Sequence, residues 1–139
     1  MIPDRVRRPD GTHLDCDAQA VQALRAQARA RGYEPVTDPI VTGATLVYGA
    51  ERKAWAARGY AGVDMETGLL HAPRAACVRV VLDTPLREIS PAWLTPSKAF
   101  LQPRAWRDLP FLMREGPRCA AIAAEIAAGA ARAHLCRSQ

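Results

Sequence analysis

Two runs decide the fold: Ala61-Gly62-Val63-Asp64-Met65-Glu66, and, about ten residues on, Ala75-Ala76-Cys77-Val78-Arg79-Val80-Val81-Leu82-Asp83. Each is short, apolar or β-branched, and ends on a carboxylate, which predicts two strands whose last residues are acidic. The intervening segment is near the lower limit for a parallel crossover, and Gly68 and Pro73 leave it room for barely two helical turns.

Working outward, an opening strand-like piece turns at Asp10-Gly11, and Asp15 and Asp17 offer N-caps to a helix running to about Arg31. Val21, Leu24 and Ala28 form its apolar stripe and Gly32 stops it. Pro39 to Val47 reads as extended chain broken at Thr42-Gly43, and a second helix covers about Ala50 to Arg58, ending at Gly59. Between Asp83 and the last helix, Pro85, Pro91, Pro96, Pro103 and Pro110 divide the chain into loops and short helices, with Ser90-Pro91 and Thr95-Pro96 as N-cap and N1 pairs. A last helix is expected from about Pro117 to His134, with Ile122 and Ile126 one turn apart on a thin alanine face. Alternating strand and helix implies an α/β layered fold on a largely parallel sheet, although four or five strands are few for a sheet buried on both faces.

The length of 139 residues fits one domain, 1–139, and an apolar fraction of 49% predicts a packed core. The longest apolar run, Cys119 to Ala124, is far shorter than the ~20 residues of a membrane span. Met1-Ile2-Pro3-Asp4-Arg5 has no apolar region of the secretory kind, so the expected location is cytoplasmic, with no membrane partner. Cys16, Cys77, Cys119 and Cys136 are far apart, as are His13, His71 and His134, a pattern of reduced thiols rather than a metal site or disulfide scaffold. The net charge of +5 is spread along the chain and its densest cluster is Arg5-Arg7-Arg8, which argues against a nucleic-acid partner.

Ligands of open α/β sheets bind outside the carboxyl ends of the strands, where Glu66 and Asp83 fall. Neighbouring strands with a right-handed crossover would bring both carboxylates to one rim, with Arg79 behind Asp83 on the same face. Helix capping by Asp83-Thr84-Pro85 or Glu66-Thr67 accounts for the same residues structurally. An arginine among Val78, Val80 and Val81 must find a partner, and Glu66 and Asp83 are the candidates.

Val63-Asp64-Met65-Glu66 followed by Val78-Arg79-Val80-Val81-Leu82-Asp83 resembles the paired Met-Glu and Arg-x-x-Ser-Asp signatures of the purine nucleoside and uridine phosphorylase superfamily, which includes the methylthioadenosine/S-adenosylhomocysteine nucleosidases. Pro39-Ile40-Val41-Thr42-Gly43-Ala44-Thr45-Leu46-Val47 is similar to the family's Gly-x-Ile-Val-Ser stretch and precedes Met-Glu at a similar distance. The resemblance covers about Pro35 to Pro85, with the final helix matching loosely.

The resemblance implies a three-layer α/β/α phosphorylase-like fold, incomplete at its N-terminus, and cleavage of a purine N-glycosidic bond through an oxocarbenium-like sugar. By it, Glu66 accepts hydrogen bonds from the ribose 2′- and 3′-hydroxyls, Met65 packs on the sugar, and Leu46 and Val47 line the base pocket. Asp83 becomes the general acid toward N7 of the leaving purine, and Arg79 holds the attacking water. Leu82 stands where the family has serine, and no GxGxxG or P-loop spacing is available for phosphate, the possible co-substrate; no cofactor is implied. The expected partners are a nucleoside and either further copies of the chain or a second polypeptide supplying the N-terminal half. The alternative function is a non-catalytic remnant or subunit that binds nucleoside or oligomerises.

Overall fold

The computed structural model describes residues 1–72, 74–99 and 101–135. The chain is α/β, with a four-stranded mixed sheet of strand order β2-β1-β3-β4. Two compact units divide it, one of residues 1–79 with 123–139 and the other of residues 80–122.

In the first unit, β1 (Arg5–Arg7) and β2 (His13–Asp15) form an antiparallel hairpin. Its turn uses Gly11 at φ 90°, and Asp10 accepts from the amide and hydroxyl of Thr12 at 2.9 and 2.7 Å. β3 (Ile40–Thr42) pairs parallel to β1, and β4 (Gly62–Asp64) parallel to β3, so the sheet is largely parallel, as expected. Helix α1 (Ala18–Ala30) is capped by Asp17, whose carboxylate accepts the Ala20 amide at 2.9 Å. Arg74, 2.6 Å from that carboxylate, holds it below the usual aspartate range together with the Ala20 amide. Val21, Leu24 and Ala28 are buried as the spacing predicts, and Gly32 closes the helix at φ 78°. The sheet contributes Val6, Leu14, Ile40 and Val41 to this core. Helix α2 (Gly49–Ala57) joins β3 to β4 and ends before Gly59, also left-handed at φ 84°.

One expected strand does not form. Residues 75–82 carry no strand, and their backbone bonds elsewhere: the Asp17 amide donates to the Ala75 carbonyl at 2.7 Å and the Arg79 amide to the Met1 carbonyl at 2.9 Å. A parallel return beside β4 needs a connection of roughly a dozen residues or more, and the chain between is too short. In place of a crossover helix, a single 3₁₀ turn, Thr67–Leu69, follows β4 directly. Pro73 and Cys136 lie outside the described residues.

The second unit is built from short turns. Asp83 accepts the Ile89 amide at 3.1 Å, Ser90 caps the Pro91–Leu94 turn, and Asp108 accepts the Ser90 amide at 2.9 Å. The single-turn helices α3 (Pro96–Ala99) and α4 (Pro103–Trp106) bury Ala99 and Ala105. Helix α5 (Leu109–Leu135) starts eight residues before the expected Pro117, and its residues are shared between the two units. A proline need not open a helix: Pro117 lies inside α5, where it removes the donor to the Met113 carbonyl and its ring crowds that oxygen, yet helix continues on either side. Within the first unit α5 contributes the buried Ile126 and Ala130.

Candidate functional site at the strand ends

Register places the last residues of β3 and β4, Thr42 and Asp64, side by side. The Thr42 hydroxyl donates to Asp64 Oδ1 at 2.7 Å and accepts the Gly68 amide at 2.7 Å. The same Oδ1 receives the amides of Glu66 and Thr67 at 3.4 and 3.3 Å, and the Thr67 hydroxyl donates to Oδ2. Asp64 thus folds the chain back after β4 as an Asx turn does, with its carboxylate 9% exposed and Thr42 and Thr67 buried beside it.

Arg79 completes the cluster. Its Nη2 lies 2.9 Å from Asp64 Oδ2, 3.0 Å from Glu66 Oε2 and 2.7 Å from the Thr67 hydroxyl, while Nε donates to that hydroxyl at 3.2 Å. The guanidinium spans an inner and an outer carboxylate, for Glu66 is 65% exposed. Beside them burial pushes the Cys77 thiol up, against the pull of Arg79 and the Thr67 hydroxyl.

The turn needs glycine at 68 for room. A Cβ there would lie 2.8 Å from the Thr42 hydroxyl, 2.9 Å from Thr42 Cβ and 3.3 Å from Arg8 Cα. Gly68→Ala is therefore expected to cost about 1–3 kcal/mol of stability by displacing Thr42 from Asp64, read as a lowered midpoint in urea. An unchanged midpoint would contradict this packing.

The ion pair of Arg79 with Glu66, one of the two partners expected of it, is present. Met65 and Leu46 are half-buried, and Val47 is buried 5% exposed, with a methyl 3.2 Å from where a Gly43 Cβ would stand. Val47 therefore packs under the end of β3. Asp83 lies in the second unit, where it accepts the Ile89 amide. Asp64, Thr42 and Thr67 are the residues that sequence reasoning passed over. Their signal was the alternation of β4, which puts Asp64 and Glu66 two residues apart, and a threonine closing an otherwise apolar β3.

A groove of about 410 Å³ within the first unit is walled by the small side chains of α1 and α5, by residues 75–76 and by the Asp17–Arg74 ion pair. None of the strand-end residues lines it. Among the described residues no group of three or more His, Cys, Asp or Glu is placed to hold a metal, and no helix is long and apolar enough to cross a membrane. No family model, curated protein or solved structure matches the chain.

Proposed function

We propose that the strand-end cluster holds the ribosyl part of a purine nucleoside and serves the breaking of its N-glycosidic bond, by water or by phosphate. The observation that carries this reading is the Glu66–Arg79 pair at 3.0 Å beyond the carboxyl end of β4, since it joins the two segments in which the phosphorylase resemblance resides. The ligand-binding habit of parallel strand ends supports it independently.

Glu66 is the outward group, and its carboxylate is the one able to accept the 2′- and 3′-hydroxyls of a ribose. Positive charge develops on the sugar as the base departs, and a carboxylate fixed beside it stabilises that charge more than it stabilises the ground state. Arg79 draws Glu66 toward Asp64 and Thr67, so its work is to fix the rotamer of Glu66 before substrate arrives. That makes Arg79 a positioning residue rather than a holder of water. The resemblance gives Met65 the sugar face and the whole a three-layer α/β/α architecture.

The test is release of free base from adenosine, inosine and methylthioadenosine, with and without inorganic phosphate. Turnover that falls in Glu66→Gln is the expected result. Turnover unaltered in that variant would remove the assigned role. The commitment of Arg79 to Asp64, Glu66 and Thr67 favours one second reading, nucleoside binding without cleavage. Calorimetry with the same nucleosides distinguishes it, as heat of binding with no base released.

A further inference from the structure

Three segments meet on one small core. The cluster Val6, Leu14 and Ile40 is covered at its margin by Met1, Cys16, Ala75 and Cys77. Cys16 follows β2 and its amide donates to the Asp4 carbonyl at 2.8 Å, continuing the hairpin. The next residue, Asp17, donates to the Ala75 carbonyl at 2.7 Å, which ties the chain beside Cys16 to the chain two residues before Cys77. Further along, Arg79 exchanges bonds with Met1 in both directions, its amide at 2.9 Å and its carbonyl, with the Met1 ammonium, at 2.6 Å. Residues 75 to 79 are therefore tied to the chain flanking the hairpin on both sides, at Asp17 and at Met1. Ala75 and Cys77, two apart in this segment, both turn to the cluster that Cys16 also covers.

Cys16 and Cys77 stand one and two residues from the Asp17–Ala75 tie and cover the margin of the same small cluster, and a disulfide needs Cα atoms about 4.4–6.8 Å apart. We propose that Cys16 and Cys77 form a redox latch, a thiol pair that a low-molecular-weight disulfide such as oxidised glutathione closes into an intramolecular bond. One thiolate attacks the glutathione disulfide, releasing one glutathione thiolate and leaving a mixed disulfide. The second thiolate attacks the protein sulfur of that mixed disulfide and expels the other glutathione. The chain loses two electrons and two protons, and one oxidised glutathione becomes two reduced ones.

Both thiols are half-buried and free in this structure. Burial holds Cys16 up at about 11 and raises Cys77 as well, so the reduced pair is slow to react near neutral pH and closes under sustained oxidation rather than by chance. The bond would close a loop of about 60 residues and fix the segment that carries Arg79 against the small core. The latch does not depend on what the strand-end site binds.

The experiment is oxidation of the full chain with excess oxidised glutathione, in a background carrying Cys119→Ser and Cys136→Ser to exclude other pairs. The expected product is a monomer lighter by about 2 Da, whose digest links the Cys16 and Cys77 peptides, with a melting temperature raised by about 5 °C or more and reversed by dithiothreitol. Cys16→Ser or Cys77→Ser in the same background should instead stop at the glutathione adduct. Stable adducts on both cysteines of the paired chain, a linked dimer, or no loss of free thiol would overturn the proposal.

Discussion

Asp64→Ala is expected to lower folding stability by about 3 kcal/mol, the largest loss at any polar position described here. The carboxylate is nine-tenths buried and receives Thr42, Thr67, two backbone amides and Arg79. Deleting it leaves these donors facing one another around a gap, and Arg79, itself one-third exposed, recovers only part of its loss from water. Asp64→Asn separates shape from charge. It keeps the volume, yet its amide presents hydrogens to a site made of donors, so a substantial part of the destabilisation should remain. Urea melts of both variants read this directly, and two midpoints like that of the wild type would show that the turn after β4 stands without Asp64.

Glu66→Gln should behave in the opposite manner. Its carboxylate is mostly in solvent, and exposed ion pairs contribute about 0–1 kcal/mol, so the melt should scarcely move. Removal of a preorganised charge beside a developing cation costs about 10²–10³ in rate by analogy with oxyanion-hole donors, and base release should fall by that order. The measurement is kcat with KM on one nucleoside. A fall in kcat at unchanged midpoint is expected, and a variant that loses stability but retains turnover would assign Glu66 to the scaffold.

The contrast between these two acids explains how far the sequence could be read. Hydrophobic stripe and cap were visible for α1 because Val21, Leu24, Ala28, Asp17 and Gly32 each act locally. That Arg79 must pair was legible too, with Glu66 or Asp83 as the candidates, and it meets Glu66 but also Asp64, which the sequence did not single out. The run from 75 to 82 was not legible as it stands. Its β-branched residues favour a strand, but pairing is a matter of tether length and of which edge is within reach. Likewise Asp64 looked like a neighbour of the Met-Glu pair, and only the register of β3 against β4 shows that Thr42 meets it. Pro117 misled for a related reason, as its ring suits a first turn yet was carried inside α5.

The same division of labour fits a site whose rigid part is built from threonines and an inner acid, leaving the outer acid free for a ligand. The most direct test is a titration of the isotopically labelled chain with adenosine, following backbone amide resonances. Saturable shifts centred on residues 64–68 and Arg79, abolished in Glu66→Gln, are the predicted result. Resonances that stay still through millimolar nucleoside, or shifts confined to the alanine groove between α1 and α5, would contradict it.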